Sequence, residues 1–231
     1  MKRRRGISKS VFDEPHLRSS SPLAPQTEAS DSVWHEPGRE LDGNAPAELP
    51  YAAWLTRQAQ HTTNARSLAL CGLMALAGGP LAVLSVVLTR GPGFGYLLIV
   101  ITGPLIEEIG KVLFPLMVVE RRPYWIRHSW HIPLCALAAG LVFSIIENIL
   151  YLHVYIPDPT PLIIVWRWTI CVILHTGCSL MAGMGVMRIH QETMRTRQPP
   201  RLESGAAWIM AAVIVHGVYN FAAILIDPVF R

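Results

Sequence analysis

Two stretches of the chain, residues 67–89 and 206–226, each run for more than twenty residues without a carboxylate, lysine or arginine. A helix needs about 20 largely apolar residues to cross about 30 Å of hydrocarbon. Three further apolar stretches, residues 94–119, 132–156 and 161–187, are each interrupted by a few polar residues. None of the five alternates apolar and polar faces as the helices of a soluble domain do. The sequence therefore predicts an all-α fold: a polytopic transmembrane helix bundle of about five spans.

The first 60 residues differ in composition from the rest of the chain. They are rich in serine and proline, with scattered charges and few large apolar side chains. Such a segment cannot bury enough apolar surface to offset its ordering entropy. We therefore expect a disordered cytoplasmic tail at residues 1–60 and a transmembrane domain at residues 61–231. No apolar stretch follows the basic start within about 30 residues, so a signal peptide is not predicted.

The distribution of basic residues predicts the orientation. The formal net charge is +4, which in a soluble protein would raise the question of a nucleic-acid partner. Here the arginines fill alternate loops, while the opposite loops hold only Arg90; the arginine-rich side carries Arg57, Arg66, Arg121, Arg122, Arg127, Arg188, Arg195, Arg197 and Arg201. Cytoplasmic loops carry such an excess of positive charge. The sequence predicts a multi-pass protein of the cell (inner) membrane with a cytoplasmic N-terminus, in contact with the lipid bilayer and not with nucleic acid.

The second span, residues 94–119, carries Glu107, Glu108 and Lys111 in its middle. Three charges at a helix centre cost about 8–10 kcal/mol to insert, and the 15 Leu, Ile, Val and Phe residues of this span return about 5–9 kcal/mol. The charges must therefore face the bundle interior or water, pair with each other or be protonated. Lys111 comes round between the glutamates one turn later, which predicts a salt bridge and suits an acid/base pair. A purely structural salt bridge is the alternative.

The other spans add polar groups at comparable depth. Glu147 and Asn148 are adjacent in the third span, His175 lies in the middle of the fourth, and His216 and Asn220 share one face of the fifth. Histidine and asparagine can hold a water or an oxyanion, although each alone is more often a packing or hydrogen-bonding residue. Their common depth predicts one shared buried site.

Three further features of the spans predict ordinary structural roles or a local bend. Arg167 lies between two tryptophans and is typical of an anchor at the membrane interface. Gly177, Gly183 and Gly185 are typical of helix packing. A Gly-Pro pair just before the two glutamates predicts a kink in the second span.

Four ordered motifs carry a resemblance to a known family. EEIGK at residues 107–111, FSIIENILY at residues 143–151, the mid-span His175 and HGVYN at residues 216–220 resemble the PrsW family of intramembrane proteases. That family belongs with the CAAX prenyl protease and bacteriocin-processing superfamily of glutamate-dependent membrane proteases. The resemblance covers roughly residues 91–228. It implies a peptidase that hydrolyses a peptide bond of a membrane-anchored protein, with anti-sigma-factor-like regulators as substrates.

The resemblance also implies catalytic roles. Glu107 or Glu108 would activate a water as general base, and His175, His216 and Asn220 would position that water or stabilise the tetrahedral oxyanion. No metal ligand and no cofactor are predicted.

Supporting roles are predicted for Lys111, Glu147 and Asn148. Glu147 stands where the wider superfamily tends to place a histidine, and the PrsW branch has the acidic FxxxEN form that this chain matches. Whether Glu147 accepts a proton or only orients another residue stays open.

Three alternatives compete with a glutamate protease. A metal-dependent hydrolase could use the glutamates and histidines as zinc ligands, but the chain has no HExxH motif and Lys111 would repel a cation. A proton-coupled transporter or channel would grade its polar residues along a path, whereas here they cluster, and no inverted repeat is visible. A non-catalytic scaffold would leave so many costly polar groups unexplained.

Overall fold

The computed structural model describes residues 50–89 and 95–230, which belong to one compact unit. These ranges are mainly helical and contain no strand, which confirms the all-α prediction. The main helices are α1 (Tyr51–Ala59), α2 (Asn64–Thr89), α3 (Gly103–Arg121), α4 (His131–Leu150), α5 (Val172–Thr196) and α6 (Glu203–Phe230).

Helix α1 falls inside the segment predicted to be disordered. The side chain of Leu55 is fully buried, and the ring of Trp54 meets that of Tyr124 edge-on with centroids 5.3 Å apart. These tertiary contacts compensate for the conformational entropy that the segment loses when it becomes helical. The amino-acid composition of the segment does not reveal them. The prediction of disorder thus differs from the structure over residues 51–59, and residues 1–49 lie outside the described residues.

Four segments of the described ranges are long and apolar enough to cross a membrane, by length and composition. They are Asn64–Ser85, His131–Tyr155, Pro161–Thr196 and Glu203–Ile226. The remaining predicted span is also helical over most of its length but carries the three charges. The outer surface is apolar: Leu73, Ile173 and Val218 are each more than 60 % exposed. This inside-out pattern, with charges buried and apolar side chains outside, is that of a bundle surrounded by lipid.

Three π-helical turns occur in the described ranges, next to helices α3, α4 and α5. Leu98–Thr102 precedes α3, Tyr151–Tyr155 follows α4, and Arg167–Cys171 joins the short helix Pro161–Trp166 to α5. The first ends two residues before Pro104, which has no backbone N–H to continue the α-helical pattern. The backbone irregularity therefore lies where the Gly-Pro pair predicts it.

Close helix contacts build the site. Helix α5 packs against α4 and α6, and α2 packs against α3 and α4. A Cβ on Gly140 of α4 would lie 2.5 Å from Ser179 Oγ and 2.8 Å from the carbonyl oxygen of His175. A Cβ on Gly217 of α6 would collide with the carbonyl oxygen of Val100. Only glycine permits these close helix contacts. The first brings α4 and α5 together, and the second brings α6 against the turn before α3.

The glycines predicted to pack in α5 divide into two groups. Gly183 and Gly185 lie against α4 and α6, where an added Cβ would approach Ala136 and Gly205 at 2.5 and 2.6 Å. Gly177 has no neighbouring atom within 4 Å of that position. The packing prediction is confirmed for the first two and wrong for Gly177.

Candidate active site

The two adjacent glutamates of α3 have different partners. Both are buried, as is Lys111 one turn later. Lys111 Nζ donates to Glu108 Oε1 at 2.8 Å and lies 3.9 Å from Glu107 Oε2. The same ammonium group lies 4.0 Å from the centroid of the Phe143 ring. The predicted salt bridge is therefore confirmed, and Glu108 is its closer partner.

Glu108 joins three helices. Its Oε1 also lies 2.8 Å from His216 Nδ1 of α6, and its Oε2 lies 3.5 Å from Ser179 Oγ of α5. All of these side chains are buried. A carboxylate that accepts from a lysine, an imidazole and a hydroxyl has used most of its acceptor positions. Its geometry suits holding the other groups in place.

His175 is held from the opposite side by Glu147 of α4. Its Nε2 lies 2.9 Å from Glu147 Oε2, while its Nδ1 lies 3.3 Å from Lys111 Nζ and 4.0 Å from Glu107 Oε2. The rings of His175 and His216 meet edge-on with centroids 4.8 Å apart. The structure thus brings side chains from α3, α4, α5 and α6 into one buried cluster.

The contacts assign the tautomers of the two imidazoles. An ionised carboxylate only accepts hydrogen bonds, so His216 donates from Nδ1 to Glu108 and His175 donates from Nε2 to Glu147. In the neutral imidazoles the other nitrogens, His216 Nε2 and His175 Nδ1, then carry lone pairs. Both lie toward Glu107 Oε2, at 3.6 and 4.0 Å.

Arg167 is a residue whose role the sequence did not predict. Its Nη2 donates to Glu147 Oε2 at 2.9 Å, its Nε donates to Asn148 Oδ1 at 3.0 Å, and its guanidinium group stacks on Tyr151 at 3.9 Å from the ring centroid. Asn148 Nδ2 donates back to the carbonyl oxygen of Arg167. The interpretation of Arg167 as an interface anchor is therefore wrong, because its charge points inward to Glu147.

Neither Asn148 nor Asn220 has a described contact with the two histidines. Asn148 bonds to Arg167 as described, and it lies beside Glu147 without a described contact to Glu107 or Glu108. Asn220 Nδ2 donates to the carbonyl oxygen of Ile99, inside the π-helical turn before α3. The described contacts therefore place the amide of Asn220 on the backbone that leads into α3 and not in the cluster of Glu107, His175 and His216.

The donor set fits a divalent metal ion. Glu107, Glu108, His175 and His216 offer ligand atoms that all lie within 4.8 Å of one another. Ligands bound to zinc at about 2.0–2.2 Å in a tetrahedron are about 3.3–3.6 Å apart. The separations of 3.6 and 4.0 Å between Glu107 Oε2 and the two ring nitrogens are close to that range. A carboxylate on the far nitrogen of each histidine is the usual second shell of such a site.

The charge balance of the cluster also admits a cation. Three carboxylates (Glu107, Glu108 and Glu147) meet two cationic groups (Lys111 and Arg167). With both histidines neutral, one formal negative charge is left over. Lys111 therefore does not make the cluster positive, although its ammonium group shares the space beside His175 Nδ1.

One comparison with known proteins gives a match. A family model described as PrsW family intramembrane metalloprotease matches residues 63–230, which is most of the chain. No curated protein and no solved structure matches. The matched range contains all the residues of the cluster.

Proposed function

The chain belongs to the PrsW family and is a membrane peptidase, and on this premise we propose that Glu107, His175 and His216 form its reaction centre. One observation carries the proposal. Glu107 Oε2 faces a lone-pair nitrogen of each histidine, at 3.6 and 4.0 Å, while carboxylates hold the opposite nitrogens at 2.8 and 2.9 Å. The reaction we propose is hydrolysis of a peptide bond in a membrane-associated protein.

We propose that a divalent metal ion takes part, held by Glu107, His175 and His216. Peptide hydrolysis needs an electrophile for the developing oxyanion. The inward-facing nitrogens of neutral His175 and His216 carry lone pairs and cannot donate to it. A metal ion would supply that electrophile and would also favour ionisation of a bound water. Glu108 and Glu147 fix the tautomers and ring orientations, and Lys111 offsets the charge of Glu108.

A glutamate mechanism without metal is the second candidate, and the position of Lys111 favours it. In this mechanism Glu107 accepts a proton from water as the water oxygen bonds to the scissile carbonyl carbon, and it returns the proton to the amine when the C–N bond breaks. Lys111 Nζ lies 3.9 Å from Glu107 Oε2 and 3.3 Å from His175 Nδ1, where an ammonium group could donate to the oxyanion.

Metal removal separates the two candidates. The purified full chain, in detergent or proteoliposomes, is assayed with a tagged single-span membrane protein that it cleaves on co-expression. The metal mechanism predicts loss of cleavage with a strong chelator, recovery with Zn²⁺, and close to one bound metal per chain that Glu107→Gln and His216→Ala both lose. Full activity after chelation, with no bound metal, would contradict it and leave the glutamate mechanism.

The substrate that we propose is a membrane-anchored regulator of the anti-sigma-factor type. The likeness of the four motifs to the PrsW family supports this class, and the burial of the cluster among apolar helices suits a substrate segment in the membrane. A panel of tagged single-span proteins, co-expressed with the wild type and with Glu107→Gln, tests it. If regulators of this class stay intact while other single-span proteins are cleaved, the substrate assignment is wrong.

We propose that the protein lies in the inner membrane with its N-terminus in the cytoplasm. The arginine-rich loops support this orientation. Their residues also meet at one end of the bundle: Thr62 Oγ1 donates to the carbonyl oxygen of Tyr124 at 2.7 Å, and Ser129 Oγ lies 2.9 Å from His190 Nδ1. Labelling of single cysteines placed in the loop of residues 122–130, in intact cells and in inverted vesicles, tests the orientation. Labelling in intact cells would contradict it.

A further inference from the structure

A cavity of about 370 Å³ lies between α2 and α3, away from the buried cluster. We call it the α2–α3 groove. Its walls are apolar over most of their length and include Leu70, Leu73 and Met74 of α2 and Phe114, Met117 and Val118 of α3. Leu73 is 66 % exposed, so the groove opens to the surroundings of the bundle. In a membrane those surroundings are acyl chains.

One end of the groove is strongly basic. A second cavity, of about 480 Å³, adjoins it and shares Leu70, Arg122 and Trp125. Arg121 lines the groove and Arg66 lines the second cavity. No residue described as lining either cavity is acidic. Within the described part of the chain, these three arginines also make no salt bridge to a carboxylate.

The side chain of Arg122 is fixed at the junction of the two cavities. Its Nη1 donates to Tyr124 OH at 3.2 Å, and its guanidinium group lies 4.9 Å from the centroid of the Trp125 ring. Tryptophan, tyrosine and arginine together mark the level of lipid headgroups at a membrane surface. A guanidinium group held at this level has donors left for a phosphate.

An apolar groove that ends at three arginines fits a lipid, because an acyl chain needs no hydrogen-bond partner and an anionic headgroup needs cations. Basic pockets between transmembrane helices on the cytoplasmic side bind anionic headgroups. We propose that an anionic phospholipid binds here, with an acyl chain in the α2–α3 groove and its phosphate against Arg66, Arg121 and Arg122.

The test measures binding on the purified full chain in detergent. Thermal unfolding midpoints are recorded with phosphatidylglycerol, phosphatidylcholine and inorganic phosphate, and retained lipids are counted by native mass spectrometry. A ligand that binds the folded state raises the midpoint with its concentration. We expect phosphatidylglycerol to raise it and to be retained, and expect little effect of phosphatidylcholine or phosphate. Equal effects of the two lipids would overturn the proposal.

Two variants locate the site. The double variant R121Q/R122Q should weaken phosphatidylglycerol binding about 30-fold, which corresponds to about 1 kcal/mol for each arginine. Its matched control is R188Q/R195Q, which removes two exposed arginines of α5 and should bind like the wild type.

Ala77→Phe fills the apolar end and leaves the arginines in place, and it should also reduce lipid retention. All the substituted positions are exposed, so unfolding midpoints without lipid should stay near that of the wild type. Lipid retention by both R121Q/R122Q and Ala77→Phe at the wild-type level would show that the groove is not the site. A different result would indicate a site for free phosphate: R121Q/R122Q loses lipid binding, Ala77→Phe does not, and inorganic phosphate raises the unfolding midpoint of the wild type as much as phosphatidylglycerol does. That result would overturn the lipid assignment.

Discussion

Glu147 contacts His175 directly, with its Oε2 2.9 Å from the Nε2 of the imidazole. Arg167 Nη2 lies 2.9 Å from the same oxygen, so one carboxylate oxygen lies between a guanidinium group and a histidine. The sequence alone left open whether Glu147 accepts a proton or orients another residue. The geometry favours orientation, because its contact is with the ring nitrogen that faces away from Glu107.

Substitution of Glu147 should lower activity through His175. We expect Glu147→Gln to reduce the cleavage rate about tenfold, because a glutamine oxygen still accepts from Nε2 but lacks the charge, and Glu147→Ala to reduce it up to about 100-fold. If a metal is bound, its retention should fall in the same order. Glu192→Gln, on a partly exposed residue of α5, is the matched control. Wild-type cleavage by Glu147→Ala would exclude the orienting role.

Arg167 should contribute to stability as well as to the position of Glu147. The Arg167→Gln variant leaves a mostly buried carboxylate with less compensation, and we expect a loss of up to about 3 kcal/mol in the free energy of unfolding. Arg167→Lys keeps the charge but loses the fork that reaches Glu147 and Asn148 together, so it should rescue only part of the loss. Unfolding in detergent measures both variants against Arg188→Gln. A midpoint equal to that of the control would place Arg167 in the interface after all.

The sequence was sufficient for the helical bundle and for the apolar helices that carry the polar groups, because both depend on local composition. It also predicted the contact of Lys111 with a glutamate, since residues one turn apart on a helix face each other. It could not pair Arg167 with Glu147, which are on different helices, and two flanking tryptophans favoured the membrane surface. The contact of Asn220 with Ile99 was equally hidden, because it depends on a π-helical turn that has no clear sequence pattern.

Lys111 and Glu108 should show a large coupling energy. Lys111→Met leaves buried carboxylates without their nearest cation, and we expect it to destabilise the protein by at least about 3 kcal/mol. Adding Glu108→Gln to Lys111→Met should recover part of that loss, although His216 then lacks its charged acceptor. A double-mutant cycle from unfolding in detergent measures the coupling. The pair Glu108→Gln and Arg195→Gln, which share no described contact, should add within about 0.5 kcal/mol. If the stability losses of Lys111→Met and Glu108→Gln also add within about 0.5 kcal/mol, that result would contradict a stabilising salt bridge between the two residues.

Two glycines, Gly140 and Gly177, offer a matched test of helix packing at the site. An alanine at Gly140 would place its Cβ 2.5 Å from Ser179 Oγ and 2.8 Å from the carbonyl oxygen of His175, so α4 and α5 must separate. The separation would move His175 relative to Glu147, which is on α4. We therefore expect Gly140→Ala to lower both the unfolding midpoint and the cleavage rate.

Gly177→Ala is the control, because the added methyl group meets no atom within 4 Å. The same substitution in an open helical position should be neutral or stabilise by up to about 1 kcal/mol, since alanine has the higher helix propensity. Both variants add one methyl group to a helical glycine, and they differ in what that group meets. If Gly140→Ala retains wild-type stability and cleavage, then His175 and Glu147 do not depend on the close approach of α4 and α5. A similar loss in Gly177→Ala would instead trace the effect to the replacement of a helical glycine itself and not to packing.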